Sequence, residues 1–471
     1  MSVHAPHHFL LVNTLERSLM TNHRQLARVR AIAMFVFLVT VSTATASCGR
    51  DQESEILFPA DGPPIAITYV SPDFSSVAAT EQVAIERFLE RAPGIEIDRQ
   101  PLRGDAADYL LDTPPPDVML LWDGVLLRGA AEQGLLSDLA DVWTEGNFAE
   151  SYGDQFHDLS RIEGTPRLVP AGFSWTGIYY NVELFDRYGL APPADWEAFI
   201  HICDTLLAIG ETPLSLAGQN PFISSLWFDY LNMRLNGPQF HAELMAGRVS
   251  YYDERVARVW ELWLSMLERG YFVETPSSTT DLDSMTALVR ADAENPLNRE
   301  KAVMTLAPHF SAGELPPAFA SELDFFQFPR IDPGLAMGEV SVVFGYVIPA
   351  AALNRVAAGV FVGYMGSAQA QELQLRQMGE DDSNAGYVPV HPDIDHELLS
   401  PAAAKGGQIV RGAESIRPPL TLLLPDEMQR GYTTVLRRLF LKTGTRLPVS
   451  EIQSILEDAR QKAIQSGTYR P

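Results

Sequence analysis

The chain has only two cysteines, Cys48 and Cys203, so it can close at most one disulfide and has no thiol cluster to hold a metal. Positive charge is scarce. Thirty-five basic residues face sixty acidic ones, and the net charge is −25. A surface so acidic is a poor partner for nucleic acid or anionic lipid. Chemistry motifs are equally thin. There is no G-x-S-x-G, no phosphate-cradling glycine loop and no H-E-x-x-H. Lys442-Thr443-Gly444 matches one β-lactamase box, but its companion Ser-x-x-Lys occurs nowhere. His391-Pro-Asp-Ile-Asp-His396 lacks the helical spacing of a metal pair and falls in an expected loop. No cofactor or metal is expected. Heptads, 20–50-residue repeats and low-complexity tracts are absent.

Long apolar runs are missing too. The one notable run, Ala31 to Val41, is eleven residues and too short to cross a bilayer core of ~30 Å. Arg24, Arg28 and Arg30 precede it, and Ala44-Thr45-Ala46-Ser47-Cys48 follows. Basic start, short apolar core and small residues read as a secretory signal over residues 1–47, with Met20 a better-placed start than Met1. Two outcomes compete. Cleavage after Ala44-Thr45-Ala46 would release a soluble protein beginning at Ser47. Thr45-Ala46-Ser47-Cys48 instead resembles a lipoprotein box, in which Cys48 is acylated and residues 48–63 form a tether. The remainder works outside the cytoplasm in either case.

That remainder is too long for one ordinary core and fits two domains. Ile65 to Val70 reads as a β-branched strand, Thr80 to Arg91 as a helix, Ile95-Glu-Ile97 as a second strand and Asp117 to Leu121 as a strand buried on both faces. The alternation argues for a mainly parallel, doubly wound α/β sheet. Asp253 can cap a helix carrying Val256, Val259, Trp260 and Trp263. Cys203 sits in a helical pattern without a positioned base, so a buried structural thiol is expected.

Open α/β sheets bind ligands beyond the carboxyl ends of their strands. Trp122-Asp123 leaves the third strand there, pairing an aromatic face for sugar C–H groups with a carboxylate for hydroxyls. Trp227-Phe-Asp229 repeats the pairing, and Trp175 lies in a Gly-flanked turn. Trp260 and Trp263 belong to a core stripe, Trp196 starts a helix, and Trp143 is read as structural.

Several stretches now resemble one family. They are Gln133-Gly-Leu-Leu-Ser-Asp-Leu139, Gly177-Ile-Tyr-Tyr-Asn181, Asp195-Trp-Glu-Ala-Phe199 with Gly210-Glu-Thr-Pro213, the block from Tyr230 to Phe272, Asp324-Phe-Phe-Gln-Phe-Pro329 and Gly345-Tyr-Val-Ile-Pro349. In this order and spacing they are similar to the extracytoplasmic solute-binding proteins of ABC importers, in the sugar-binding group related to maltose-binding protein. The resemblance implies two α/β lobes of the type II periplasmic-binding-protein kind, with a sugar or oligosaccharide in the cleft and a membrane permease as partner to a monomer. It implies lobe one at 64–172 plus 347–380 and lobe two at 176–343 plus 388–471, with crossings near 172–178, 344–348 and 379–390. The implied ligand residues are Trp122, Asp123, Trp175, Trp227, Asp229 and Tyr346. Where the family often has a polar residue before Gly345-Tyr346, this chain has Val343-Phe344. The alternatives are the same fold binding a polyol, peptide or glycerophosphodiester, or a secreted carbohydrate-active enzyme.

The leader reading makes one direct prediction. Mass analysis of the membrane fraction from a bacterial expression host should find the N-terminus as acylated Cys48. A soluble chain starting at Ser47 contradicts lipidation.

Overall fold

The computed structural model of the protein describes residues 57–58, 60, 62–73, 75–289, 301–380, 387–441 and 447–469. The expected signal, Cys48, most of the tether and Lys442 to Gly444 lie outside these residues. The strands run β1 (Ile65–Ser71), β2 (Ile95–Pro101), β3 (Val118–Trp122), β4 (Arg161–Ile162), β5 (Thr165–Pro166), β6 (Val169–Phe173), β7 (Thr176–Asn181), β8 (Leu214–Ser215), β9 (Met304–Pro308), β10 (Leu323–Phe326), β11 (Gly338–Val340), β12 (Val343–Val347), β13 (Val388–Pro389) and β14 (Ser415–Arg417).

They form two principal sheets. The first has the order β13-β6-β12-β3-β1-β2, and the second β10-β7-β9-β8. β1 pairs in parallel with β2 and β3, as the alternating helix and strand pattern predicts, but β12 enters antiparallel between β3 and β6. The helices Ser75–Arg91, Arg355–Met365 and Ala368–Glu380 belong to the first lobe. The helices Trp196–Ala208, Pro221–Met245, Glu254–Glu268, Asp426–Leu439 and Val449–Ser466 belong to the second.

Local chemistry sets the element ends. Asp195 accepts the Ala198 N–H at 2.9 Å and Asp253 the Arg255 N–H at 2.8 Å, each opening a helix. Cys203, Trp260 and Trp263 are fully buried in the second core. Burial also pushes the Cys203 thiol pKa well up, as a structural thiol requires. The helix Pro221–Met245 bends at Gly237, whose φ of +83° suits glycine, and Pro238 follows.

Two of the expected crossings move. The chain leaves the first sheet at Phe173 and enters the second at Thr176. The return lies at Ser341–Val342, ahead of the expected 344–348, because Val343–Val347 is already paired with β3 and β6. The third was expected at 379–390, yet Val388–Pro389 pairs with β6 in lobe one. The helix Pro401–Arg411 packs on the same strand, so the last passage comes just before β14. A local ladder such as β13–β6 decides this, and it is invisible in a two-residue strand's sequence.

The crossings are tied together on the lobe-two side. Ser341 Oγ donates to the Ser174 carbonyl at 2.7 Å, and the Ser341 N–H to the Arg417 carbonyl at 3.0 Å. Beneath them lies a buried ion pair, Arg234 to Glu339 at 2.5 Å, with both side chains 1% exposed. Arg234 also donates to the carbonyls of Gly338 and Phe328. Glu339 accepts from Tyr230 at 2.9 Å and from Gln327 at 3.0 Å. A buried charge that loses its partner costs about 3–5 kcal/mol. Glu339→Gln should therefore lower unfolding stability by about that amount in denaturant titration. A loss below about 1 kcal/mol, the worth of an ordinary hydrogen bond, contradicts this role.

Candidate functional site: the cleft between two sheet edges

Strand direction locates the cleft. β1, β3 and β6 all end on one edge of the first sheet, where β12 and β13 begin. β8, β9 and β10 end on the edge of the second sheet where β7 begins. Because β6 runs into β7 through Ser174–Trp175, the two edges face each other. This is where an open α/β sheet binds its ligand.

On the lobe-one edge, Trp122 is half-buried at the end of β3, directly opposite Phe344 on β12. Phe344 stands edge-on to Tyr387, with centroids 4.6 Å apart. Gly172 makes that contact possible, since a Cβ there would sit 2.2 Å from the Tyr387 ring. Asp123 is 2% exposed. Its N–H donates to the Val343 carbonyl at 2.8 Å and its carboxylate accepts from Arg128 at 3.1 Å. Burial raises its pKa, and the Arg128 and Arg417 charges oppose that rise.

On the lobe-two edge, a file of rings follows the strand exits. Trp175 stacks on His309 at 4.3 Å, His309 meets Phe310 at 5.5 Å, and Phe310 meets Phe222 at 6.2 Å. Trp175 is nearly enclosed, because a Cβ on Gly406 would come within 2.3 Å of its ring. Its indole N–H has no partner. Phe222 and Phe310 are half-buried.

Three expected site residues fall elsewhere. Trp227 has no exposed surface and packs edge-on against Phe272 and Phe328, inside the lobe-two core. Asp229 is equally buried. It accepts the Leu420 N–H at 3.2 Å and faces His241 Nε2 at 3.3 Å, which pins the 420 segment to the central helix. Tyr346 is fully buried under Tyr69 and Phe361. The reason is shared: Trp227 and Asp229 lie inside a helix buried all round, and Tyr346 lies mid-strand rather than at a strand exit. Ser71 Oγ donates at 2.8 Å to Glu81, a buried carboxylate that also accepts from Tyr69 and Arg99. Phe74 is outside the described residues. His391 accepts the Asp393 N–H at 3.2 Å, and burial lowers its pKa. Among the described residues no three His, Cys, Asp or Glu side chains come together.

Arg128, Phe222, His309 and Phe310 also stand at these edges, and the Arg417 charge acts on Asp123, though none of them stood out in the sequence. Applying the strand-exit rule to the apolar run Met304–Pro308 would have found His309 and Phe310. Two surface depressions are also present, one of them bordering the exit of β10 at Phe326 and Gln327. One, of about 780 Å³, is lined by Trp196, Gln327, Arg330 and Met337 among others. The smaller, of about 430 Å³, is lined by His396, Gln408 and Arg411 among others.

Comparison with known proteins agrees with the geometry. An ABC transporter extracellular-binding protein of Pyrococcus horikoshii is 21% identical over 344 residues, 67% of this chain and 72% of that protein. The alpha-glucosides-binding periplasmic protein AglE of Rhizobium meliloti is 21% identical over 369 residues, 74% of this chain and 77% of that protein. The solved bacterial solute receptor AcbH, described as exclusive for β-D-galactopyranose, shares the fold with a TM-score of 0.72 at 22% identity, covering 88% of this chain and 100% of its own. Residues 71–372 match the family described as bacterial extracellular solute-binding protein, and the chain belongs to that family.

Proposed function

We propose that this protein is the extracytoplasmic carbohydrate-binding component of an ABC importer. It captures a sugar or oligosaccharide between its lobes and hands it to a membrane permease, held at the membrane through an acylated Cys48. The observation that carries the reading is the pair of aromatic edges facing across the crossings, with Asp123 at one of them. Aromatic faces stack on sugar C–H surfaces, and carboxylates accept hydroxyl pairs. The names of AglE and AcbH, each a sugar binder, support the sugar assignment. Solute would favour the closed arrangement by binding it better than the open one, and the closed form is what a permease would recognise.

The protein acts by binding without turnover. A thermal-shift panel of mono-, di- and oligosaccharides, polyols and amino acids tests both points. A cognate sugar at a hundred times its dissociation constant should stabilise the fold by about 2.7 kcal/mol and be recovered unchanged. A shift with polyols or amino acids alone removes the sugar assignment, and breakdown of the shifting sugar removes the binding-only reading.

The two tryptophan environments give a second test. Trp122→Ala should weaken solute binding about tenfold, equivalent to ~1.4 kcal/mol, while leaving the melting temperature nearly unchanged. Trp227→Ala should do the reverse, costing about 3–5 kcal/mol of stability as a core cavity. Equal affinities for wild type and Trp122→Ala contradict the placement of Trp122 at the site.

A further inference from the structure

One cluster at the cleft holds buried donors that no protein acceptor takes up. Asp123 and Gly124 leave β3 and meet the lobe-two helix Leu420–Leu423, where a Cβ on Gly124 would lie 2.7 Å from the Leu422 carbonyl. Arg417 ends β14 shortly before that helix, and its guanidinium lies in the field of Arg128, Asp123 and Asp158. Asp123 is engaged by Arg128, which remains 44% exposed. Arg417 donates only to the neighbouring Ile416 carbonyl at 3.1 Å, and its Nε–H is buried without a partner. The Thr421 hydroxyl, one helical turn on, is likewise buried and unpartnered. In a chain with sixty acidic residues against thirty-five basic ones, a cleft guanidinium without its own carboxylate stands out.

We propose that Arg417, with Arg128 nearby, is an anion-recognition site, so that the captured solute carries a carboxylate or phosphate on its saccharide frame. The proposal rests on the sugar reading above and names the class of sugar. A guanidinium offers a planar fork of donors that matches a carboxylate or phosphate bidentately. Such charge-assisted bonds are roughly twice as strong as neutral ones. A neutral hydroxyl satisfies one donor and leaves the charge uncompensated. Asp123 pairs with Arg128, whereas Arg417 has no carboxylate at ion-pair distance among the described residues.

The test is calorimetric titration with matched pairs, galacturonate against galactose and glucose 6-phosphate against glucose, with inorganic phosphate alone as a third arm. At least one anionic sugar should bind about tenfold or more tightly than its neutral partner, and more tightly than phosphate. The advantage should shrink as salt rises, vanish in Arg417→Gln and survive in part in Arg417→Lys. Whichever pair shows the preference distinguishes carboxylate from phosphate. Neutral sugars binding as well as their anionic partners overturn the anion site and leave the sugar reading standing. Phosphate binding equal to that of any sugar, lost in Arg417→Gln, keeps the anion site and removes the sugar reading. Absence of binding in all three arms overturns the anion site, because phosphate alone should then have registered. The wild-type pairs decide the matter even if both variants fail to fold.

Discussion

The architecture hangs on one buried ion pair, Arg234 with Glu339. Two charges almost wholly out of water are tolerable only when every donor and acceptor around them is engaged. Here Arg234 spans two backbone carbonyls and one carboxylate, while Glu339 also takes Tyr230 and Gln327. The pair joins the central helix of lobe two to β11, the strand that leads straight into the return crossing. Through Ser341 the same strand reaches Ser174 on the first crossing and Arg417 on the last. A single network thus holds the lobe-two ends of the crossing segments, which fixes where the two sheet edges face each other.

The site follows from that fixation. Strand direction alone brings Trp122, Phe344 and Tyr387 to one edge and Trp175, His309, Phe310 and Phe222 to the other. Asp123, Arg128 and Arg417 sit together near the Gly124 turn, where lobe one meets the Leu422 backbone. An aromatic frame with a charged end is a reasonable design for a solute with apolar ring faces and a polar periphery. A swing of the lobes would part the Trp175 ring from Gly406 of the lobe-one helix and break the Lys405–Asp324 ion pair.

Much of this was legible in the sequence, and the reasons are uneven. Ile65 to Leu121 alternated clearly enough to give the first strands and their helix, because buried parallel strands are continuous and apolar. The ordered family stretches gave the two-lobed plan. Trp122, Asp123 and Trp175 were expected at a strand exit or an interlobe turn, and the structure places them there because both features have local signatures. Trp227, Asp229 and Tyr346 misled for the opposite reason. A Trp-Phe-Asp triplet looks the same at a strand exit and inside a helix buried all round, and only the Phe272 and Phe328 contacts tell them apart. The third crossing was misplaced because β13 is two residues long and owes its lobe to a ladder with β6. Arg417 was out of reach, since only the three-residue ladder of β14 with β11 carries it into the field of Asp123.

The most direct test of the central claim is a crystal structure of the protein bound to a saccharide that stabilises it. The account predicts solute between the two sheet edges, with the Trp122 ring against a sugar face, Asp123 or Arg417 within hydrogen-bond reach, and Trp227 and Tyr346 making no contact. Solute bound outside this cleft, or held by Trp227 and Asp229 after a rearrangement of the central helix, would contradict it.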